Sequence, residues 1–320
     1  MNIATALNRK YVNYTIVMLT SLCINNPSHI DAYLMYNDLT DKDISVMRKN
    51  LYNYDIDIIP VYVARENLPD NLITSEMWSI ETYFRLLMIE LLPESVDRIL
   101  YLDVDLIINK NISALYNIDL DNNLICAALD TNGTDKDFKG YSELQQQMFS
   151  PFLKNGFMYF NAGVMLYDME SIRKIYNFGT YLDAMKKWNF EMPANDQDIL
   201  NYVYHDSVLY IPWEKYNLST YLAHIDGMTK NDAENVPILH FATFKPWSTS
   251  YIHYDIEGIW WDYAKKTPVY HAIADQYVTQ MTEDNTLENY NKGLLQQISE
   301  QKNTINSLIR ASQELIEKLK

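Results

Sequence analysis

Apolar positions in the first 130 residues alternate between short runs typical of buried strands and longer stretches with one apolar face, typical of helices. The short runs predict strands at Ile3–Leu7, Ile30–Tyr36, Asp57–Val63 and Arg98–Ile108. The longer stretches predict helices at Tyr11–Cys23, Asp41–Tyr52 and Thr82–Leu92. Alternation at this spacing predicts βαβ units and a mostly parallel sheet, in which ligands bind beyond the carboxyl ends of the strands.

The next part of the chain is less regular. Phe157–Tyr167 predicts another buried strand, and Ser171–Trp188 and Gln197–Tyr204 predict helices. The polar segment Asp130–Gly156 predicts a loop over the site. That loop and the tyrosine-rich stretch Tyr202–Tyr221 are our candidates for contact with an acceptor substrate.

Two carboxylates, Asp103 and Asp105, interrupt the otherwise apolar run Arg98–Ile108. In a continuous strand, residues two apart point to the same side, so the two like charges would face the same space. Burying each charge alone costs several kcal/mol, so either one carboxyl is protonated or a cation lies between them. Oxygen ligands of this kind favour Mg²⁺ or Mn²⁺. The alternative is a solvated strand end with two surface acids.

Composition narrows the class of protein. The chain has 320 residues, of which 48% are hydrophobic, so a sizeable core is expected. A formal net charge of −16 argues against nucleic-acid binding, which needs a basic face. The two cysteines, Cys23 and Cys126, lie in apolar stretches and are interpreted as core residues of a protein from a reducing compartment. The amino terminus lacks the pattern of a signal peptide, and no transmembrane segment is expected.

The last 34 residues have a different pattern. Apolar residues recur at alternate steps of three and four, which is a heptad seam with polar interruptions at Asn291, Gln301 and Ser312. We predict a domain at residues 1–285 and a helix at 286–320 that forms a homo-oligomer. The alternatives are a helix packed on the main domain and, less favoured, a helix on a membrane surface, because its polar face is mixed in charge.

Four further segments carry candidate chemistry, and each has a structural alternative. In Phe160–Gly163, the glycine allows close approach of a ligand and Asn161 can bond a hydroxyl, or the segment is a β-bulge. The acids in Asn195–Asn201 bind sugar hydroxyls or satisfy a helix start. His240 is a third metal ligand or a core residue, and Lys245 can contact a phosphate. Arg85 pairs with a phosphate or a metal-site carboxylate, or forms a surface ion pair.

In combination and in this order, the segments resemble the family 8 glycosyltransferases, retaining enzymes of the GT-A fold related to bacterial lipopolysaccharide galactosyl- and glucosyltransferases and to glycogenin. The resemblance runs from Met1 to about Trp247 and rests on Tyr101–Asp105, Phe160–Gly163, Asp196–Asp198 and His240–Trp247. It implies a single Rossmann-like nucleotide-binding domain of the α/β class with a mostly parallel central sheet. The helical carboxyl-terminal extension lies outside it.

The resemblance also implies ligands and roles. It implies a UDP-sugar donor and a divalent metal, Mn²⁺ with Mg²⁺ as the alternative, held by Asp103, Asp105 and His240. Lys245 would contact the phosphates, and Asp196 and Gln197 would be the catalytic candidates. The residues implied in substrate or nucleotide binding are Ala6, Asn8, Tyr11, Arg85, Asp103, Val104, Asp105, Asn161, Ala162, Asp196, Gln197, His240 and Lys245. At Asn8 the chain departs from the many members that have an acid there.

The expected function is transfer of a hexose (glucose, galactose or N-acetylglucosamine) from a UDP-sugar to a glycan or glycoprotein acceptor, with an α linkage, in surface polysaccharide or glycoprotein glycan synthesis. Retention is expected through same-face attack by the acceptor hydroxyl in preference to a covalent enzyme intermediate. The alternatives are a catalytically inactive nucleotide-sugar-binding or assembly protein and, less favoured, a nucleotidyltransferase. The expected location is the cytoplasm, with peripheral attachment to the inner face of the membrane as a variant.

Overall fold

The computed structural model describes residues 1–74, 79–130, 140–282 and 286–318. Within these ranges the strands are β1 (Asn2–Ala6), β2 (Ile30–Tyr36), β3 (Ile56–Tyr62), β4 (Arg98–Leu102), β5 (Leu106–Ile108), β6 (Ile125–Leu129), β7 (Phe160–Asp168), β8 (Val208–Ile211), β9 (Leu218–Ser219) and β10 (Ile238–His240). Seven of them form the central sheet, in the order β3-β2-β1-β4-β7-β6-β8. A smaller sheet has the order β5-β10-β9.

The central sheet is mostly parallel, which confirms the prediction. The pairs β1–β2, β2–β3, β1–β4 and β6–β8 are parallel. Only β7 among these strands runs in the opposite direction, because it pairs antiparallel with both β4 and β6. The carboxyl ends of the parallel strands and the first residues of β7 therefore meet at one edge of the sheet.

Helices connect and cover the strands. In the described ranges the α-helices are α1 (Val12–Asn25), α2 (Asp41–Leu51), α3 (Met88–Leu91), α4 (Ser113–Tyr116), α5 (Glu143–Phe149), α6 (Met169–Ile175), α7 (Phe178–Lys187), α8 (Asn195–Val203), α9 (Trp213–Tyr216), α10 (Thr220–Ile225), α11 (Lys230–Ala233), α12 (Glu257–Ala264), α13 (Tyr270–Thr282) and α14 (Thr286–Lys318). Short 3₁₀ helices occur at Arg9–Tyr11, Arg65–Asn67, Ile80–Leu87 and Leu153–Asn155.

The prediction of one strand over Arg98–Ile108 is wrong. The chain leaves the central sheet after Leu102 and enters the small sheet at Leu106, so the two aspartates lie in the turn between β4 and β5. The reason is pairing: the Asp103 amide donates to the Gly163 carbonyl of β7 at 2.9 Å, whereas the Asp105 carbonyl accepts from Phe241 after β10 at 3.0 Å. The two aspartates therefore share a turn, not a strand face.

Two helix predictions also need correction. The segment predicted as a helix over Thr82–Leu92 is mainly the 3₁₀ helix Ile80–Leu87, with a single α-helical turn, α3, after it. The predicted helix Ser171–Trp188 is two helices, α6 and α7. Asn177 has extended backbone dihedrals and forms a capping box with Thr180, so it begins a new helix within the apolar pattern.

The predicted loop over Asp130–Gly156 is partly helical. Residues 140–156 include α5, which begins at a capping box formed by Ser142 and Gln145. Its inner side chains, Met148 and Phe149, are buried. The remainder of the predicted loop, residues 131–139, lies outside the described residues.

Apolar side chains cover both faces of the central sheet, as expected for a mainly parallel sheet. Cys23 and Cys126 are free and buried in this core, which confirms the interpretation of both cysteines as core residues. In the part of the chain that the structure describes, no helix has the length and apolar character needed to cross a bilayer. The predicted carboxyl-terminal helix is present as α14.

Candidate active site

The reversed direction of β7 brings its first residues beside the end of β4. Leu102 pairs with Val164, and the next residue, Asp103, donates its amide hydrogen to Gly163. Opposite Ala127–Leu129 of β6 the register shifts between Phe160 and Met165 of β7, which is a β-bulge or a similar irregularity that contains Asn161 and Gly163. The bulge and ligand alternatives are compatible, because a bulge redirects side chains at a sheet edge.

The small sheet brings a histidine to the two aspartates. His240 pairs with Leu106 in the β10–β5 ladder, directly after the aspartate turn. Its Nε2 atom lies 3.3 Å from Asp105 Oδ1 and 3.9 Å from Asp103 Oδ2. One ligand atom from each of the three residues lies within 4.8 Å of the others. The structure therefore brings together the three residues that the sequence predicts as metal ligands.

Hydrogen bonds determine the tautomer of His240. The Gly163 amide donates to Asn161 Oδ1 at 2.8 Å, so Asn161 Oδ1 is an acceptor. The Asn217 atom that lies 2.8 Å from this oxygen must be a donor and is therefore the side-chain nitrogen Nδ2. Asn217 then presents its oxygen to His240 Nδ1 at 2.8 Å, and Nδ1 must carry the hydrogen. In the neutral imidazole Nε2 then carries no hydrogen, so the ring nitrogen that faces the two carboxylates is the one that can ligate a metal.

These three residues fit a hard divalent cation. Asp105 Oδ1 is buried, and among the described residues it has no hydrogen-bond donor. A neutral imidazole nitrogen and two carboxylates form the donor set that Mn²⁺ accepts. Gly163 leaves the space open: an added Cβ would lie 2.4 Å from His240 Cε1 and 2.8 Å from Asp103 Oδ2. Any side chain at position 163 would collide with His240 and Asp103, so this position requires glycine.

Lys245 supplies positive charge on the other side of Asp105. Its Nζ contacts Asp105 Oδ2 and donates to the carbonyls of Phe241 at 3.0 Å and Ala242 at 2.8 Å. Burial alone would raise the pKa of Asp105, but Lys245 and His240 outweigh burial and hold this pKa well below its ordinary value. Asp105 is therefore ionised at neutral pH.

Arg85 is buried and bridges two carboxylates, so the alternative of a surface ion pair is wrong. Its Nη2 lies 2.9 Å from Asp103 Oδ1, and its Nε lies 2.9 Å from Asp196 Oδ2. Burial alone would lower the pKa of Arg85, but Asp103 and Asp196 hold it above its ordinary value. The guanidinium lies 4.2 Å from the centroid of the Tyr101 ring. Arg85 thereby fixes the positions of Asp103 and Asp196 relative to each other.

Asp196 and Asp198 differ in their surroundings although both lie in the first turn of α8. Asp198 accepts from the Ala194 amide at 2.7 Å, so its role is the structural one of satisfying the helix start. Asp196 is buried, and burial together with Asp103 raises its pKa to about 6, although Arg85 opposes the shift. Asp196 is therefore a candidate functional group and Asp198 a structural one.

Gln197 is held against β7. Its Oε1 accepts from Asn161 Nδ2 at 3.1 Å and from the Ala162 amide at 3.0 Å. Its Nε2 donates to Asp130 Oδ2 at 2.7 Å. The amide oxygen thus already accepts two hydrogen bonds.

The residues predicted to bind the nucleotide lie at the end of β1. Ala6 ends the strand, and the Asn8 side chain accepts from the Lys10 amide at 3.1 Å and donates to Glu81 at 3.3 Å. Asn8 also lines a cleft of about 530 Å³ together with residues from the ends of β2 and β3, Asp38 and Arg65 among them. Burial raises the pKa of Tyr11, and Lys245 opposes the shift.

The structure therefore brings the predicted site residues to one edge of the sheet, with Val104 in the turn between the aspartates. Sequence reasoning missed Asn217, which precedes the two-residue strand β9 and joins His240 to Asn161. An asparagine in a tyrosine-rich stretch gave no signal, because its role depends on contacts with residues 23 and 56 positions away in the chain.

Comparison with known proteins identifies the family. Residues 2–250 match the model of glycosyl transferase family 8. The chain belongs to this family. The match ends before α12, so α12, α13 and α14 lie outside it.

Curated relatives of this family 8 chain are glycosyltransferases. A putative glycosyltransferase of Haemophilus influenzae is 26% identical over 66% of this chain and 61% of its own length. Glycosyltransferase GlyA of Streptococcus pneumoniae is 26% identical over 82% of this chain but only 34% of its own length. The lipopolysaccharide 1,2-glucosyltransferase of Escherichia coli K12 is 25% identical over 77% of this chain and 72% of its own. The match thus spans about three-fifths of the Haemophilus influenzae protein and about one-third of GlyA.

Solved structures share the fold of this family 8 chain. The galactosyltransferase LgtC, in complex with donor and acceptor sugar analogs, aligns with a TM-score of 0.67 at 24% identity over 84% of this chain and 96% of its own. The glycosyltransferase GlyE of Streptococcus pneumoniae aligns with a TM-score of 0.61 at 24% identity over 87% of this chain and 63% of its own. These alignments confirm the predicted GT-A fold.

Proposed function

We propose that this chain is a metal-dependent retaining glycosyltransferase that moves a hexose from a UDP-sugar to a glycan acceptor with an α linkage. One observation carries the proposal: Asp103, Asp105 and the Nε2 atom of His240 converge where the parallel strands end, beside Asn161 and Gln197. A metal-binding group next to hydroxyl-binding side chains is the arrangement that a sugar diphosphate requires.

The proposed metal ligands are Asp103, Asp105 and His240, and the metal is Mn²⁺, with Mg²⁺ as the alternative. A bound divalent ion supplies charge stabilisation to a departing diphosphate, worth several kcal/mol. Lys245 Nζ, now bound to Asp105 and two carbonyls, would donate to the phosphates. Ala6, Asn8 and Tyr11 would contact the nucleoside at the end of β1, where Asn8 lines the cleft.

The donor sugar is proposed to be glucose or galactose, with N-acetylglucosamine as a third candidate. Two relatives are named as a lipopolysaccharide 1,2-glucosyltransferase of Escherichia coli and a lipopolysaccharide 1,3-galactosyltransferase of Salmonella typhimurium. Both sugars are hexoses that differ at one hydroxyl. The proposed setting is synthesis of a surface polysaccharide or of a glycoprotein glycan.

Retention is proposed to follow same-face attack by the acceptor hydroxyl, assisted by the departing phosphate. Gln197 Oε1 already accepts two hydrogen bonds, and Asp196 is buried and paired with Arg85. Covalent attack by Gln197 would cost both hydrogen bonds, and attack by Asp196 Oδ2 would break its ion pair with Arg85. Detection of a glycosyl-enzyme adduct by intact-protein mass spectrometry would contradict this pathway.

The test is UDP release by the purified chain over a panel of UDP-hexoses, with Mn²⁺ and with chelator. We expect release from one hexose that stops when the metal is removed. Asp103→Asn should lose this activity while retaining the circular-dichroism spectrum of the fold. Lys245→Ala should weaken UDP binding in calorimetry, because a charged hydrogen-bond partner of the phosphate is lost.

The outcomes separate the alternatives. Binding of UDP without release from any sugar, also in the presence of oligosaccharide acceptors, would favour the inactive binding or assembly protein. Release of pyrophosphate from UTP and a hexose 1-phosphate, with no UDP released from any UDP-hexose, would identify a nucleotidyltransferase. Absence of UDP binding would contradict the proposal altogether.

A further inference from the structure

The carboxyl-terminal helix α14 lies against the rest of the chain by its polar side. Gly293 faces the backbone of the segment after Lys245: an added Cβ would lie 2.4 Å from the Ser250 carbonyl oxygen and 3.2 Å from Tyr251 Cα. Further along the helix, Glu300 accepts from the Tyr221 hydroxyl at 3.4 Å. Polar side chains of the same helix side (Lys292, Gln296 and Gln297) line the cavity of about 270 Å³ at this contact.

The apolar side of α14 is left in water. The exposed fractions are 65% for Leu295, 52% for Ile298, 56% for Ile305 and 49% for Ile309. Each apolar Å² exposed to water forgoes roughly 25 cal/mol of stabilisation. The polar side of α14 thus meets the alternative of a helix packed on the main domain, whereas Ile298 and Ile305 of the seam stay outside that contact.

The heptad spacing of the apolar residues of α14 indicates which partner this side of the helix binds. In heptad terms, Ile298 and Ile305 share the a position with Asn291, and the leucines at 287, 294, 308 and 315 share the d position. Isoleucine at a with leucine at d favours two parallel strands, and the polar residues of the seam, Asn291 and Ser312 at a and Gln301 at d, fix the register because each meets its own copy in a parallel pair. Gly293 is at c, outside the seam, so docking on the domain and pairing of the seam do not compete.

Charge favours the same partner. The chain carries a formal net charge of −16, so two copies repel each other over most of their surfaces. Residues 286–320 contain four acidic and five basic residues and are close to neutral. A second copy can approach along this helix without that repulsion. An anionic membrane would require a strongly basic face, which this helix lacks.

We infer that two copies of this chain associate through α14 as a parallel two-stranded coiled coil, with the leucine and isoleucine seam between them. In the dimer each helix keeps its polar side on its own domain. The inference is independent of the proposed transferase activity, because none of the seam residues belongs to the candidate active site.

The first experiment is light scattering coupled to size exclusion on the full chain over a dilution series. We expect about twice the chain mass of 37.6 kDa for the wild type and the single-chain mass for Ile298→Asp combined with Ile305→Asp. The matched control is Ser299→Asp combined with Asn303→Asp, which adds the same charge at exposed positions outside the seam and should remain dimeric. A monomeric wild type, or a trimer or tetramer, would overturn the inference.

The second experiment distinguishes parallel from antiparallel pairing. Because Cys23 and Cys126 are buried, a cysteine introduced at Ile298 is the accessible thiol of the variant. In a parallel pair the two copies of residue 298 face each other, so mild oxidation should give a disulfide-linked dimer on a non-reducing gel. Ser299→Cys should not crosslink. Equal crosslinking of both variants, or of neither, would refute the parallel arrangement.

The alternative partner for the apolar side of α14 is a membrane surface. Co-sedimentation with phosphatidylcholine vesicles and with phosphatidylcholine–phosphatidylserine vesicles tests it. We expect the wild type to stay in the supernatant with both. Sedimentation that Ile298→Asp combined with Ile305→Asp abolishes would assign the apolar side to lipid and overturn the dimer.

Discussion

Asn217 shows how one amide can determine the chemistry of another residue. It accepts from His240 Nδ1 and donates to Asn161, whose own orientation is fixed by the backbone of Gly163. The tautomer of His240 in its neutral form is therefore a consequence of hydrogen bonds that start from the backbone of β7. Such partners orient a ligating histidine and increase its basicity.

We predict that Asn217→Ala weakens metal binding by about 10- to 100-fold, because His240 loses the acceptor that fixes its tautomer and ring orientation. Turnover at saturating Mn²⁺ should change less than the Mn²⁺ concentration needed for half-maximal UDP release. The control is Asn50→Ala on α2, where the side chain donates only to the local Val46 carbonyl at 2.7 Å. An unchanged Mn²⁺ dependence in Asn217→Ala would contradict this role.

Gly163 illustrates a second effect at the residue scale, exclusion of a side chain. Gly163→Ala would place a methyl group 2.4 Å from His240 Cε1, so the ring or the strand must shift. We expect UDP release to fall by about 100-fold, the usual consequence of a displacement of about 1 Å in an active site.

Gly258→Ala on α12 is the matched control for Gly163→Ala, because the nearest atom to its added Cβ is the flexible Lys230 Nζ at 3.3 Å. Alanine also has the higher helix propensity. Both variants should keep the secondary structure of the wild type in circular dichroism. Full activity of Gly163→Ala would show that the aspartates and His240 need no such close approach.

At the scale of elements, the start of α8 depends on an unusual backbone. Asn195 has φ of +49°, in the left-handed region that asparagine and glycine adopt most readily. The residue is buried, and its side-chain nitrogen is among the buried described atoms without a hydrogen-bond partner. The positive φ at position 195, more than any hydrogen bond of the side-chain amide, therefore explains why this residue is an asparagine. This backbone conformation directs Asp196 and Gln197 toward β7.

We predict that Asn195→Gly folds and releases UDP at a rate near that of the wild type, because glycine adopts positive φ without strain. Asn195→Val should lose about 1–3 kcal/mol of unfolding free energy, the cost of a left-handed backbone for a β-branched residue, and most of the activity. Chemical denaturation and UDP release measure the two effects. A valine variant as stable and active as the glycine variant would show that this turn does not position the site.

The turn between β4 and β5 is the other decisive element. It moves the chain from the central sheet to the small sheet within the three residues Asp103–Asp105, so each aspartate is fixed by a different sheet. His240 arrives on β10 of the same small sheet. The three candidate ligands therefore require both sheets to be formed, and their geometry belongs to the tertiary structure.

At the scale of the whole molecule, self-repulsion in a chain of net charge −16 opposes folding, and a bound cation reduces this repulsion. We predict that Mn²⁺ with UDP raises the thermal midpoint, since ligands that bind only the folded state stabilise it by about 2.7 kcal/mol at a hundredfold excess over Kd. Differential scanning calorimetry with and without chelator measures the shift. Asp103→Asn combined with Asp105→Asn should remove the response to Mn²⁺, and a retained response would place the metal elsewhere.

The sequence by itself determined the fold class, the family resemblance and the residue types of the site. Periodicity locates β1–β3 and α1–α2 to within about two residues, because those elements bury apolar runs whose period is set by local backbone geometry. The apolar run 98–108 and the motifs at 160–163 and 240–245 carry enough unusual polar residues to predict the candidate ligands. The heptad seam of α14 is equally a property of spacing alone.

Tertiary structure decided what local pattern does not encode. The reversal of β7, the division of residues 98–108 between two sheets and the burial of Arg85 between Asp103 and Asp196 all depend on pairing between distant segments. The role of Asn217 and the tautomer of His240 follow from those pairings. Hydrogen bonds between residues far apart in the chain leave no periodicity in the sequence, so the orientation of these side chains emerges only when both sheets are in place.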